Sequence, residues 1–384
     1  MSARIPDQKT SIKQLLSIMV KQDASDVYIT SGMPPSYRIN SKVVPLKQTP
    51  LSAVQTEQLA NSVMSEKQRA EFSETMEMNL AIAYEGMGRF RVNIFRQRGD
   101  VGMVIRKITT DVPTIEQLGL PDTFKDIVMS KRGLVLMVGA TSSGKSTSLA
   151  AMIDHRNRNA AGHIITIEDP IEFVHQHRKS VVTQREVGTD TLDFKDALKN
   201  TLRQAPDLIL VGEIRDRDTM EHALTFAETG HVCVATLHAN NSNQALERIR
   251  NFFPEEMHTQ VQLNLAMNMK AILSQRLVRT VDGGRTVAIE TLINTARVAD
   301  QIGKWDIIGI KDTMEAGANY GMNTFDQALL KLWKDGRISE DEALRNADAA
   351  NDLRLKMKMD RLEASDDEAS PIDQLTGGDS GLSI

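Results

Sequence analysis

One cysteine in 384 residues leaves no internal disulfide to staple the chain. Cys233 lies in the apolar run His231-Val232-Cys233-Val234-Ala235, where it reads as a small buried hydrophobe, and a reducing cytoplasm fits. Aromatics make up only 4% of the chain, and 46 basic residues against 51 acidic ones give a net charge of −5. That leaves little for base stacking or phosphate tracking and argues against a nucleic-acid motor, although a local basic patch stays open. Long hydrophobic runs are missing too. The stretches Leu208 to Val211 and Val232 to Leu237 fall far short of the roughly 18 residues a membrane helix needs, and the segment around Arg4, Lys9 and Lys13 has no apolar signal core. Neither export nor membrane insertion is expected.

What is present is an ordinary globular composition, 41% hydrophobic, over a length that suggests roughly two to three domains. From Ser11 to about Lys107, short helical and strand signals alternate. Leu15 to Met19 reads as a helix face and Asp26 to Ile29 as a strand, while Arg89 to Phe95 and Met103 to Arg106 alternate with period two as paired strands. This predicts a small α+β domain over 1–107, followed by a Pro- and Gly-punctuated linker over 108–121.

From about Gly133 onward strands alternate with helices: Leu134 to Val138, a helix after Lys145, Ile164 to Ile167, a helix over Asp193 to Gln204, Leu208 to Val211, a helix over Asp218 to Glu228, and Val232 to Leu237. That rhythm predicts an α/β fold with a largely parallel sheet covered on both faces. Glu255 to Arg276 reads as one long helix with Val261, Leu265, Met269 and Ile272 as its apolar stripe. Further helices are expected over Asp326 to Asp335 and Ser339 to Met359, in a region spanning 122–347. The acidic tail, 348–384, is expected to lose order from about Asp360.

Chemistry concentrates in residues 139–147. Gly139-Ala140-Thr141-Ser142-Ser143-Gly144-Lys145-Ser146-Thr147 has the P-loop spacing, directly after an apolar strand and directly before a helix. Its amides and the helix N-terminus favour phosphate oxygens, Lys145 supplies a point charge, and the Ser146 hydroxyl suits a magnesium ligand. A Gly-rich turn is the plain alternative. Phosphoryl transfer also needs an acid at a neighbouring strand tip, and Glu213 at the end of Leu208-Ile209-Leu210-Val211-Gly212 fills that place as magnesium-shell or water-positioning group.

Glu168, ending Ile164-Ile165-Thr166-Ile167, is the candidate base, with a turn at Asp169-Pro170 as the structural alternative. His238 ends a third such strand and can donate to a phosphate oxygen; His231 is a weaker candidate for nucleotide contact. Arg91 and Arg106 on the paired strands can neutralise phosphate charge from another domain or subunit, in competition with Arg89, Arg96 and Arg98 or with plain solvation.

Four motifs in order carry a resemblance. GATSSGKSTS resembles the Walker A of the secretion-type ATPases that drive type IV pili and type II secretion, ITIEDPIEFVH their Asp box, APDLILVGEIRD their Walker B and TGHVCVATLHANN their His box. ASDVYITSGMPP and RFRVNIFRQR extend the resemblance from about Ser11 to about Ser339. It is closest to the pilus retraction branch, the PilT/PilU family. The sequence Ala296 to Gly303 in place of AIRNLIR, and the long acidic tail, lean toward PilU.

The resemblance implies a PAS-like N-terminal domain followed by a RecA-like P-loop ATPase domain with a helical C-terminal region. It also implies a homo-oligomeric, hexameric ring, ATP and Mg2+ as cofactors, and Arg91 and Arg106 reaching the nucleotide. As partners it implies the retraction ATPase PilT and an inner-membrane platform protein, with peripheral recruitment from the cytoplasm. The output would be domain rotation for pilus retraction and twitching motility. A weakly or non-catalytic accessory ring that docks on and assists PilT is the alternative. Ser142 stands where the family has Gly, so a left-handed backbone there would strain the loop.

Overall fold

A computed structural model describes residues 11–40, 42–109 and 111–368. Among them run β1 (Asp26–Ile29), β2 (Ser36–Ile39), β3 (Lys42–Pro45), β4 (Glu77–Tyr84), β5 (Gly88–Gln97), β6 (Asp100–Lys107), β7 (Gly133–Val138), β8 (Gly162–Glu168), β9 (Ser180–Glu186), β10 (Leu208–Val211), β11 (Val232–Leu237), β12 (Met269–Arg279) and β13 (Arg285–Ile293). The chain folds as two compact units. The first takes the described residues up to Pro113 together with Asn157–Pro206; the second takes Thr114–Arg156 and the described residues from Asp207 on.

The first unit carries an antiparallel sheet in the order β3-β2-β1-β6-β5-β4. The period-two reading holds: Phe90, Val92 and Ile94 of β5 are fully buried, while Arg89, Arg91 and Asn93 between them are not. They pack with Leu15, Leu16 and Met19 of the helix Ile12–Lys21, whose start is fixed by a capping box between Ser11 and Gln14. The same unit holds the parallel pair β8 and β9 and the helix Phe194–Thr201, N-capped by Asp193.

In the second unit β10, β11, β7 and β12 run parallel in that order, with β13 antiparallel outside β12. Every residue of β7, β10 and β11 is buried, which is why each reads as an unbroken apolar run. Val211 pairs with Ala235 and Leu237 with Val138, so the C-terminal ends of these strands open on one edge.

Three expectations are corrected. Glu255 to Arg276 is not one helix: a helix spans His258–Asn268, and Met269–Arg279 is β12. Covered by β7 on one side and β13 on the other, β12 buries residues of both faces and shows no period to read. Ser339 to Met359 divides into Glu340–Asn346 and Ala350–Glu368, because Asp326 accepts the Asp348 and Ala349 amides at 2.8 and 3.0 Å between them. The second helix runs past Asp360; the rest of the tail lies outside the described residues. Among the described residues no helix is long and apolar enough to cross a membrane.

Candidate functional site

The buried strand β7 delivers the chain to Gly139, where φ is 155°, and the loop turns through Ser142 at φ 64° and Gly144 at φ 88°. Gly139 cannot carry a side chain, since a Cβ would lie 2.5 Å from Ser143 Oγ and 2.6 Å from the Gln275 carbonyl oxygen. At Gly144 a Cβ would fall 2.7 Å from Gln275 Nε2, the end of a side chain and not backbone. Ser142 therefore adopts the left-handed conformation that its sequence position foretold, at a cost a glycine avoids.

Lys145 opens the helix Lys145–Asn159. Its buried ammonium donates to the carbonyls of Gly139 and Ala140 at 2.7 and 2.9 Å. Burial lowers its proton affinity, and the charge of Glu213 opposes that change. Ala140, Thr141 and the Ser146 hydroxyl face solvent, and Thr147 is half-buried.

On the same edge, Glu213 emerges beyond β10 and His238 follows β11 directly. His238 Nε2 lies 3.2 Å from Glu213 Oε1, and Arg215 Nε donates to Glu213 Oε2 at 2.7 Å. Loss of water, then the positive charges of Lys145, Arg248 and Arg215, depress the His238 pKa against the pull of Glu213. The imidazole is thus held neutral at neutral pH, with one nitrogen able to donate and the other to accept. His231, in contrast, is not gathered here. It precedes β11 at the Gly133 end, a strand length or about 20 Å from the loop, and its Nδ1 lies against Thr229 Oγ1 and the Phe226 carbonyl.

The first unit carries the remaining candidates. Glu168 ends β8 and accepts from Thr166 Oγ1 at 2.7 Å and Gln184 Nε2 at 3.2 Å. Removal from water raises its pKa, and the nearby charge of Glu172 adds to the rise. Arg91 and Arg106 stand directly opposite each other on β5 and β6. Arg106 is held by the buried Asp26 at 2.7 Å, which also takes Arg38 at 3.2 Å.

Among the other arginines, Arg89 lies 4.0 Å from Asp190, Arg96 donates to the Gly99 carbonyl at 3.1 Å, and Arg98 sits in a turn at φ 50°. Arg91 differs, because its buried Nη2 finds no hydrogen-bond acceptor among the described residues.

The family model for type II/IV secretion system proteins matches residues 6–318. The type IV pilus ATPase PilU of Pseudomonas aeruginosa is 54% identical over 367 residues, 95% of each chain, and that organism's type IV pilus retraction ATPase PilT is 41% identical over 88% of this chain and 98% of its own. Among solved structures, that of the pilus retraction motor PilT with bound ADP matches at a TM-score of 0.83 and 40% identity, over 88% of this chain and 97% of that one. The chain belongs to the type II/IV secretion family. It is a nucleotide-binding ATP hydrolase of that family, with an N-terminal domain and a RecA-like ATPase domain.

Within this secretion ATPase, two side chains at the loop edge escaped sequence reading. Arg215, two residues beyond Glu213, shares its carboxylate, and that proximity was a usable signal. Gln275 contacts the loop from β12, a strand misread as helix, and no local pattern pointed to it.

Proposed function

We propose that this protein is an accessory retraction motor of type IV pili, working as a homo-oligomeric, hexameric ring that turns ATP hydrolysis into rotation of one domain against another, and so into twitching motility. The observation that carries the reading is the meeting of Lys145, Glu213 and His238 on the edge where the P-loop opens. Its similarity to PilU and PilT supports the pilus assignment. In this reading the PAS-like domain lies within 1–107, 108–121 is a linker, 122–347 is the ATPase domain, with its segment Asn157–Pro206 clustering with the first unit, and 348–384 is an acidic tail. The ring works from the cytoplasm beside PilT, against an inner-membrane platform protein.

The loop amides of residues 139–147 and the N-terminus of Lys145–Asn159 receive the phosphates. Lys145 exchanges the carbonyls of Gly139 and Ala140 for phosphate oxygens, a change favoured by the fuller charge complementarity of an anion. The oxygens of Ser146 and Glu213 are hard donors of the kind Mg2+ takes, and among the described residues no cluster of three or more His, Cys, Asp or Glu competes for it. Bound magnesium would neutralise charge developing on the phosphates. Glu213 orients the attacking water, neutral His238 donates to the γ-phosphate, and Glu168, with its raised proton affinity, takes up the proton of the water. Arg91 and Arg106 bring positive charge from a neighbouring copy.

Glu213→Ala separates binding from chemistry. ATP affinity should stay within about threefold of the natural chain while phosphate release falls on the order of a hundredfold, the loss typical of one positioned catalytic group. Lost nucleotide binding at normal fold stability would contradict the role.

A further inference from the structure

The P-loop rests on a side chain that lies 127 positions from its nearest hydrogen-bond partner in the helix. Gln275 is 1% exposed and sits on β12 next to Ser274, which pairs with Val138 at the point where β7 becomes the loop. Its Nε2 donates to the Ser143 carbonyl at 2.8 Å, and its Oε1 accepts from Ser148 Oγ at 2.7 Å. One amide thus grips the loop and the first turn of the following helix at once. The two glycines flanking the left-handed Ser142 both close on the same residue, Gly139 on its carbonyl and Gly144 on its Nε2. Without Cβ atoms there, the loop comes near enough for the amide to reach.

We propose that Gln275 is a positioning residue for nucleotide binding: a brace from β12 that holds the phosphate loop in its strained form and aligns the amides at the start of Lys145–Asn159. It touches no phosphate itself. A backbone held with Ser142 in the left-handed region relaxes unless its surroundings over-determine it, and a buried two-armed amide does that. The brace rests on the reading of residues 139–147 as the nucleotide site.

Calorimetric titration of the full chain with ATP·Mg, beside steady-state hydrolysis, tests it. Gln275→Ala should raise Kd and KM together by about tenfold, the order expected when buried groups lose their partner, while kcat stays within about threefold. Ser142→Gly, which removes the strain, should recover most of that affinity when added to Gln275→Ala. A general folding defect would not yield to that change. Should Gln275→Ala fail to fold, Gln275→Glu keeps the volume and the acceptor for Ser148 but not the donor to Ser143, and the same loss is expected in a folded protein. Unchanged Kd in folded Gln275→Ala or Gln275→Glu overturns the brace, as does a loss that Ser142→Gly leaves untouched. Lys145→Ala separates the two readings. Weakened binding there with none in Gln275→Ala overturns the brace alone, and no weakening in either overturns the nucleotide site with it.

Discussion

Glu168, proposed above as the base, shows how surroundings tune a single side chain. Its carboxyl is driven above the ordinary value of 4.5 by loss of water, against hydrogen bonds from Thr166 and Gln184 that favour the anion. A base must be ionised to act, so kcat/KM should rise with pH through a midpoint displaced above 4.5, and Glu168→Gln should abolish that limb in a pH–rate profile. A profile with no ionisation in that range, or one unchanged in the variant, would remove Glu168 from the chemistry. For stability the sign is opposite to that of a salt-bridged acid: the favourable contribution is complete below the ordinary value and fades as pH rises through the raised one. His238 behaves the other way, contributing above its ordinary 6.5 and losing that as pH falls through its lowered value. The meeting of Lys145, Glu213 and His238 on one edge was legible because loop spacing and strand tips are local patterns. The same locality misled at His231, which precedes β11, at the end away from the loop, where His238 follows it.

Among the secondary-structure elements, β7, β10 and β11 were legible from runs of apolar residues, and the helices expected from Asp193 and Ser339 begin where those residues cap Phe194–Thr201 and Glu340–Asn346. β12 was not, because burial of both faces erases the period that tells strand from helix. The consequence reaches beyond one strand, since Arg276 on β12 ties distant elements together. Its guanidinium donates to the carbonyls of Asn240 and Asn346 and to Asp348 at 2.6 Å, and covers the Phe325 ring at 3.9 Å. Burial works to raise the Asp348 pKa, yet the bond and charge of Arg276, with Lys311, hold it below the ordinary range. Arg276→Ala should therefore cost about 2–4 kcal/mol and lower the thermal midpoint by several degrees, less so as pH falls and Asp348 loses its charge. An unchanged midpoint in thermal denaturation at neutral pH would show that the joint between β12 and the start of the C-terminal helix carries no weight.

For the whole protein, the order of four motifs was enough to place the chain in its family, while the division into units was less visible in sequence. The composition of Asn157–Pro206 gives no sign that it clusters with the N-terminal sheet. Assembly makes a prediction of its own. Arg91, half-buried on β5, is proposed above to bring positive charge to a neighbouring copy, so Arg91→Ala chains mixed with Glu213→Ala chains should regain hydrolysis that each lacks alone. Verified mixed rings that stay inactive would contradict a trans arginine.

The most direct test of the account is phosphate release from the purified chain with ATP and Mg2+, measured beside Lys145→Ala. The natural chain should turn over ATP and the variant should lose that turnover together with nucleotide binding. Equal rates from the two would contradict catalysis at residues 139–147.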